Sequence, residues 1–258
     1  MAVDLDEMRT IAHAAADAAR TVTLRHFRRP LRIHSKRDDF DPVTIADRDA
    51  EAAMRAVIAE RRPSDSILGE EAAPVDGSSG LTWVLDPIDG TRGYVSGTPT
   101  WGTLIGLRDG GRVLYGMIDQ PFTGERFEGP PGRWNRGDET RDLHVRGTTA
   151  LADTTLLTTF PEVGTDGQRA AFHRLADHCR LTRYGMDCYG YALLAAGCVD
   201  LVVEAGLQPY DIAGPIGVVE AAGGIVTSWD GGSAVDGGTA LAAATPELHA
   251  AAMRILNG

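Results

Sequence analysis

The chain has 258 residues, of which 43% are hydrophobic, enough for one domain with a substantial core. Acidic residues outnumber basic ones by 36 to 25, and the formal net charge of -11 argues against a nucleic-acid partner, which requires a basic face. No stretch reaches the roughly 20 apolar residues that span a bilayer, and the first residues lack the basic and apolar regions of a signal peptide. We therefore expect a cytoplasmic protein with no membrane partner.

The first part of the chain is predicted to hold two helices followed by strands. A long apolar stripe predicts a helix over residues 4–29, ended by Pro30, and a polar turn at 38–42 separates it from a second helix that begins near Thr44 and ends before Pro63. A short helix is predicted to start at Gly90. The predicted strands are 66–68, 81–85, 103–107, 112–118 and 122–128, with a hairpin turn at 109–111.

Residues 129–140 are rich in glycine, proline and charge, so we expect a loop there. This loop is the predicted boundary between two packed halves, 1–135 and 136–258, of a single domain. The second half alternates between predicted strands (154–158, 181–183, 201–204, 225–228 and 241–244) and predicted helices (167–179, 189–197, 212–222 and 246–256). This interleaving predicts a layered α/β or α+β fold.

The strongest signal for chemistry is the segment Asp86-Pro87-Ile88-Asp89-Gly90-Thr91, which follows an apolar strand. Two carboxylates at the carboxyl end of a strand lie where open α/β sheets bind ligands. Pro87 fixes the backbone between them, and a helix that begins at Gly90-Thr91 offers free N–H groups to a phosphate. A purely structural role is the alternative, since aspartate, proline and glycine are common in turns and caps.

Three more acidic positions accompany this segment: Glu70 after a short strand, Asp211 between a strand and a helix, and Asp47 three residues after Thr44. Each has a structural alternative, namely a solvated loop for Glu70, an N-cap for Asp211 and a capping box for Asp47. If the carboxylates converge, bound cations would relieve their repulsion. The three cysteines form no C-x-x-C pair, and the histidines have no ligand spacing, so oxygen ligands and a hard cation are expected.

Four motifs, in this order along the chain, resemble those of the inositol monophosphatase family. They are Val43-Thr44-Ile45-Ala46-Asp47, Gly69-Glu70-Glu71, Trp83-Val84-Leu85-Asp86-Pro87-Ile88-Asp89-Gly90-Thr91 and Tyr210-Asp211-Ile212-Ala213-Gly214. The resemblance covers nearly the whole chain, from the first helix to Gly223-Gly224. It implies a layered α-β-α-β-α sandwich of the sugar and inositol phosphatase type, and a homodimer.

The same resemblance implies a set of metal ligands: the side chains of Glu70, Asp86, Asp89 and Asp211, and the carbonyl oxygen of Ile88. The implied metal is Mg²⁺, about two or three ions, with Mn²⁺ as a substitute. Asp47 and Thr91, together with Glu70, would position and activate the attacking water. The substrate phosphate would contact these metal-site residues and the Gly90-Thr91 turn, and the metal ions would neutralise its charge.

The identity of the substrate is predicted from three residues: Arg183, Asp187 and Glu204. An aspartate four residues after an arginine resembles the histidinol-phosphate phosphatases of the family. Asp187 and Glu204 would pair with the ammonium and imidazole groups of L-histidinol phosphate, and Arg183 would meet the phosphate or the metal-site carboxylates. Glu204 also matches a position that contacts inositol hydroxyls in relatives, and Asp187 has an alternative role as a helix N-cap.

The predicted activity is therefore hydrolysis of a small phosphate monoester, with histidinol phosphate, from histidine biosynthesis, preferred over inositol 1-phosphate. A broad-specificity sugar or polyol phosphatase stays open. Fructose 1,6-bisphosphate is a weaker fit, as is 3′-phosphoadenosine 5′-phosphate, because no basic, aromatic segment suits a nucleotide. A non-catalytic scaffold would lose metal ligands, whereas every matched position here keeps its carboxylate.

Overall fold

The structure is a computed structural model that describes residues 3–29, 34–35, 42–43 and 45–258. Pro30, Thr44 and most of the predicted turn at 38–42 lie outside the described residues. The helices of the described chain are α1 (Leu5–His26), α2 (Ile45–Arg61), α3 (Thr91–Ser96), α4 (Asp166–Ala176), α5 (Asp187–Ala195), α6 (Pro209–Ala221) and α7 (Pro246–Leu256). None of these helices is long and apolar enough to cross a membrane.

The strands form two large sheets and one short pair. The short pair is β1 (His34–Ser35) and β2 (Pro42–Val43). The first large sheet holds, in spatial order, β3 (Ser66–Gly69), β4 (Leu81–Asp89), β5 (Gly102–Asp109), β6 (Arg112–Gln120), β7 (Glu125–Gly129), β8 (Arg133–Arg136) and β9 (Glu139–Asp142). The second large sheet is built from β10 (Thr155–Leu157), β11 (Leu181–Arg183), β12 (Leu201–Leu207), β13 (Ile225–Thr227) and β14 (Gly238–Ala243), in the spatial order β11-β10-β12-β14-β13.

The alternation of side chains along the strands explains why five layers stack. In β5, Leu107 packs against α1 and α2 on the outer face, whereas Leu104 packs against α5 and α6 on the inner face. In β12, Val202 joins the same inner core, whereas Leu201 and Val203 contact α4 and α7. The order is therefore helices, sheet, helices, sheet, helices, which confirms the predicted α-β-α-β-α sandwich.

Most predicted elements are present, with ends set by identifiable caps. Helix α1 begins after Asp4, whose carboxylate accepts hydrogen bonds from the N–H groups of Asp6 and Glu7. It ends at His26, before a left-handed residue at Arg28. The predicted hairpin at 109–111 joins β5 and β6.

The expected loop at 129–140 is wrong, because β8 and β9 form there as an antiparallel hairpin. Strand β9 is the edge strand and β8 lies next to it. Charged residues such as Arg133 and Glu139 stay exposed to water there while the backbone pairs. The first large sheet therefore continues to Asp142. The division into halves near residue 135 stays a prediction.

Candidate active site

A β-bulge at the end of β4 brings two acidic side chains together. Asp86 pairs with Leu104 and Asp89 pairs with Gly102, so β4 uses one residue more than β5 over the same interval. In a regular strand, residues three apart point to opposite faces, and the bulge removes that alternation. The bulge includes Pro87, which lacks an N–H, and its carbonyl oxygen accepts a hydrogen bond of 2.8 Å from the Thr103 hydroxyl.

Three carboxylates converge at this point. Asp86, Asp89 and Asp211 each offer one oxygen atom, and these atoms all lie within 4.8 Å of one another. Asp86 Oδ1 accepts a hydrogen bond from the Ile88 N–H (3.0 Å), and Asp89 Oδ2 accepts one from the Cys188 N–H (2.7 Å) at the start of α5. The cluster therefore joins β4 to α5 and α6.

Asp211 is not the N-cap of α6, which was its structural alternative. The N-cap is Gln208, and Asp211 is the third helical residue, whose Oδ2 accepts a hydrogen bond of 2.7 Å from the Gln208 N–H. Asp89 likewise does not cap α3, because Gly90 occupies that position. The helix-cap alternatives for these two acids are therefore replaced by a shared cluster, although Asp211 does take part in a capping box.

The electrostatics of the cluster favour a bound cation. Burial raises the pKa of Asp86 well above its ordinary value, and the charges of Glu70, Asp89, Asp211 and Asp47 raise it further. The pKa of Asp89 is raised by burial and by the charges of its acidic neighbours, and the hydrogen bond from Cys188 only partly offsets this increase. Such a set of crowded carboxylate oxygens is the donor set that hard divalent cations prefer, so the residues fit the implied metal.

A cavity of about 310 Å³ opens next to the cluster. The predicted site residues that line it are Glu70, Asp86, Ile88, Asp89, Gly90, Thr91, Asp187, Glu204 and Asp211. Asp47 does not line the cavity. It is buried in the first turn of α2, with 1% of its surface exposed, near enough to raise the pKa of Asp86.

Arg183 is exposed at the end of β11 and is not among the residues that line this cavity. The expected contact of Arg183 with the phosphate or the metal-site carboxylates therefore has no counterpart here. The arginine that lines the cavity is Arg92, directly after Thr91, with its guanidinium 4.7 Å from the centre of the Phe160 ring. Its sequence position beside Thr91 was the signal that could have identified it.

Asp187 is the first residue of α5, not its N-cap, and it has a left-handed backbone with φ of 45°. Gly90 leaves room for it, since a Cβ at position 90 would lie 2.8 Å from the Asp187 Cβ and Cγ atoms. Burial raises the pKa of Asp187 to about 6, although the hydrogen bond from the Thr100 hydroxyl (3.5 Å) and the charge of Arg92 both lower it. Asp187 is thus a constrained acidic group in the cavity wall.

Glu204 is the second acidic group of the wall, in β12, with 7% of its surface exposed. Its Oε1 accepts hydrogen bonds from the N–H (2.7 Å) and hydroxyl (2.9 Å) of Thr159, and its Oε2 accepts one from the Thr158 hydroxyl (3.2 Å). Burial nevertheless raises its pKa to about 8, and the charge of Asp187 adds to the shift. The two threonines were not identified from the sequence.

The loop that carries Glu70 is held by Glu51, another residue that the sequence did not reveal. The buried carboxylate of Glu51 accepts hydrogen bonds from the N–H groups of Glu71 (2.7 Å) and Ala72 (3.0 Å). Gly69 allows this approach, because a Cβ there would lie 2.5 Å from the Glu51 carboxylate. Helix α2 therefore fixes the backbone on which Glu70 sits.

Comparison with known proteins gives a consistent result. A model described as the inositol monophosphatase family matches residues 4–257. The chloroplastic bifunctional phosphatase IMPL2 of Arabidopsis thaliana is 42% identical over 230 residues, which cover 88% of this chain and 66% of that protein. The histidinol-phosphatase of Streptomyces coelicolor is 35% identical over 272 residues, covering 98% of this chain and 97% of the relative. The solved structure of an inositol monophosphatase from Zymomonas mobilis is 37% identical, with a TM-score of 0.86 and full coverage of both chains.

Proposed function

We propose, because this chain belongs to the inositol monophosphatase family and is a phosphoric monoester hydrolase, that it hydrolyses L-histidinol phosphate to L-histidinol and phosphate with magnesium. The observation that carries the proposal is a cavity with two acidic regions: the cluster of Asp86, Asp89 and Asp211, and the wall formed by Asp187 and Glu204. The first suits cations that bind a phosphate. The second suits a leaving group with positive charge.

Enzymes of this family are metal-dependent. We assign Mg²⁺ to five oxygen donors, about two or three ions in all, with Mn²⁺ as a substitute. The donors are the carboxylates of Glu70, Asp86, Asp89 and Asp211 and the carbonyl oxygen of Ile88. When bound, the metal neutralises charge on the phosphoryl oxygens and lowers the pKa of a water molecule.

The protein's own groups position the water and the phosphate. The Thr91 hydroxyl donates to the Ile88 carbonyl oxygen at 3.1 Å, which leaves its lone pairs to accept a hydrogen bond from the attacking water. Glu70, which lines the cavity, accepts the other proton of that water, so the water oxygen faces the phosphorus atom. Asp47 acts on this arrangement from outside the cavity, through its charge. Gly90 and Thr91 line the cavity and hold the phosphate in line with the water.

The cavity wall selects the leaving group. Asp187 and Glu204 are carboxyl groups with raised pKa values, and a cationic ligand would favour their charged forms. L-Histidinol presents an ammonium group and an imidazole, one for each carboxylate, whereas inositol presents only hydroxyl groups. Arg92, whose guanidinium lies over Phe160, borders the same cavity and can contact a phosphate oxygen.

Inositol 1-phosphate is the second candidate, because the Zymomonas inositol monophosphatase matches the full length of this chain at 37% identity. Glu204 can accept hydrogen bonds from inositol hydroxyls as well as from an ammonium group. A broad-specificity polyol phosphatase would use the same metal-site residues. The cytoplasmic location and the homodimer stay predictions.

The test is phosphate release with Mg²⁺ from L-histidinol phosphate and from inositol 1-phosphate, compared as kcat/KM. We expect a preference of about a hundredfold for the histidinol ester, roughly 2.7 kcal/mol of differential transition-state binding. The reverse preference would move the substrate to inositol or another polyol phosphate. A folded protein that releases phosphate from no monoester would favour a non-catalytic role.

A further inference from the structure

The segment that follows helix α3 folds back toward Asp187. Gly97 ends the helix in the left-handed conformation, with φ of 77°, and its N–H donates back into the last helical turn. The next N–H, that of Thr98, donates to the Gly93 carbonyl oxygen (3.0 Å). This turn carries the chain from Thr98 to Thr100 along the side of α3 that lies against Asp187.

Gly93 makes this close approach possible. A Cβ atom at position 93 would lie 3.0 Å from Oγ1 of Thr98, 3.1 Å from Oγ1 of Thr100 and 3.5 Å from Oδ2 of Asp187. The two hydroxyl oxygens are 3.3 Å apart, and the Thr100 hydroxyl is 3.5 Å from Oδ2 of Asp187. Neither threonine is among the residues that line the cavity. The two hydroxyl groups therefore contact the acidic wall from behind.

The Thr100 hydroxyl has one proton and two neighbouring acceptors. The Thr98 hydroxyl donates to the Gly93 carbonyl oxygen (3.2 Å), so toward Thr100 it acts as an acceptor. The second acceptor is Oδ2 of Asp187. Both distances from the Thr100 hydroxyl exceed the roughly 2.7–2.8 Å of a fully formed O–H···O bond, as expected for a shared proton. Because a charged carboxylate is the stronger acceptor, a cation beside Asp187 would draw the proton to Oδ2 and shorten that bond.

The contacts of Asp187 leave one of its two oxygens for the substrate. Oδ2 lies on the side of α3, where it accepts from Thr100 and would be 3.0 Å from a Cβ at position 90. Oδ1 has no hydrogen-bond partner among the described residues. Of about four lone-pair sites on the carboxylate, Thr100 takes one, on Oδ2. Both sites of Oδ1 can therefore accept hydrogen bonds from an ammonium or imidazolium group.

We propose that Thr100 is a positioning residue for the leaving group: its hydroxyl holds Oδ2 of Asp187 so that Oδ1 faces the cationic group. This inference rests on the proposed function, because only a leaving group with positive charge requires a charged carboxylate at that place. It gives a role in substrate specificity to the segment 97–100, which lies outside the four motifs of the site. Inositol, which presents only hydroxyl groups, gains little from the charge.

Substitutions at Thr100 and Asp187 test the proposal. Thr100→Val removes the hydroxyl and keeps the shape of the side chain. We expect kcat/KM for L-histidinol phosphate to fall about tenfold, which corresponds to about 1.4 kcal/mol, through a higher KM, and kcat/KM for inositol 1-phosphate to change by no more than about threefold. Thr100→Ser keeps the hydroxyl and should recover the wild-type value to within about threefold. In the Asp187→Asn background, Thr100→Val should have little further effect, because the two residues act as a unit.

Product inhibition separates this role from a general distortion of the site. L-Histidinol and inorganic phosphate are the two products of the proposed reaction, and each occupies one end of the cavity. Thr100→Val should raise the inhibition constant of L-histidinol about tenfold and leave that of inorganic phosphate unchanged. The matched control is Thr140→Val on β9, which removes a hydroxyl that donates to Asn135 Oδ1 (2.9 Å) and does not line the cavity. It should leave both inhibition constants unchanged.

Three results would overturn the role of Thr100 alone: equal losses on both esters, a loss that adds in full to that of Asp187→Asn, or a rise in both inhibition constants. A wild type that prefers inositol 1-phosphate refutes the proposed substrate. The inhibition constant of L-histidinol, measured on that ester, then decides the role of Thr100: a rise in Thr100→Val supports it, and no change overturns it. A wild type that hydrolyses neither ester refutes both proposals.

Discussion

Asp89→Asn tests the acidic cluster directly, because it removes one charge and keeps the shape of the side chain. The cluster's offered oxygens all lie within 4.8 Å of one another, and two unit charges at that distance repel by about 3.5 kcal/mol at an effective dielectric constant of 20. The same repulsion is one cause of the raised pKa values of Asp86 and Asp89. We therefore expect the variant to be about 1–3 kcal/mol more stable than the wild type without metal.

The variant should also lose its response to magnesium. At a Mg²⁺ concentration about 100 times the dissociation constant, binding stabilises a folded protein by about 2.7 kcal/mol, or roughly 5–10 °C in Tm for a chain of this size. We expect that increment in the wild type and little of it in Asp89→Asn, together with loss of turnover.

Thermal unfolding at pH 7.5 with EDTA and with Mg²⁺ measures both effects. Asp109→Asn is the matched control, since it removes one exposed charge on the β5–β6 hairpin and should keep the full magnesium increment. A lower metal-free Tm for Asp89→Asn, or a magnesium increment equal to that of the wild type, would contradict the assignment of Asp89 as a metal ligand.

Three other substitutions test the wall and the stability of the fold. Asp187→Asn should lower kcat/KM for L-histidinol phosphate roughly 10–150-fold, because one charge-assisted hydrogen bond is lost. The kcat/KM for inositol 1-phosphate should change by no more than about threefold. Asparagine tolerates a φ of 45°, so steady-state kinetics measures the effect of the charge alone. Gly90→Ala should lower kcat/KM for both esters by more than about tenfold, because the added Cβ would displace Asp187 and the φ of 80° is unfavourable for alanine. Unchanged kinetic constants would refute this. Burial raises the pKa of Glu128, but hydrogen bonds from His13 and Tyr115 outweigh burial and lower it overall. The stability that this shift contributes is present above pH of about 4.3 and is lost as pH falls through the lowered pKa. In urea titrations, Glu128→Gln should lower the free energy of unfolding at pH 7 by roughly 1–3 kcal/mol. The variant should no longer show the decrease in stability at acidic pH.

The parts of the site that sequence reasoning could predict are those encoded locally. An apolar strand that runs into Asp86-Pro87-Ile88-Asp89 specifies both acids and the backbone between them, because proline fixes its own φ. The glycine that follows, Gly90, permits the left-handed backbone that ends the segment. The start of α7 was also predictable, since Thr245 caps the helix and Pro246 is its first residue.

The parts that could not be predicted depend on contacts between distant segments. Arg183 was expected in the cavity, but sequence spacing gives no information on where a strand-end side chain points. The N-cap alternative for Asp187 stayed open until its left-handed backbone and its contact with Gly90 were seen. The strands at 133–142 were missed because an exposed edge accepts the charged residues that usually indicate a loop.

The acidic cluster depends on how closely α6 approaches the first large sheet. Asp211 is in the first turn of α6, and the helix lies against β5 and β6 with no side chain between the backbones at Gly217, where a Cβ would lie 2.5 Å from the Gly116 nitrogen. An added methyl group at either glycine would push the helix off the sheet, and a shift of about 1 Å at a catalytic group can cost a hundredfold in rate. Gly116 and Gly217, neither of which lines the cavity, therefore set the distance at which Asp211 meets Asp86 and Asp89.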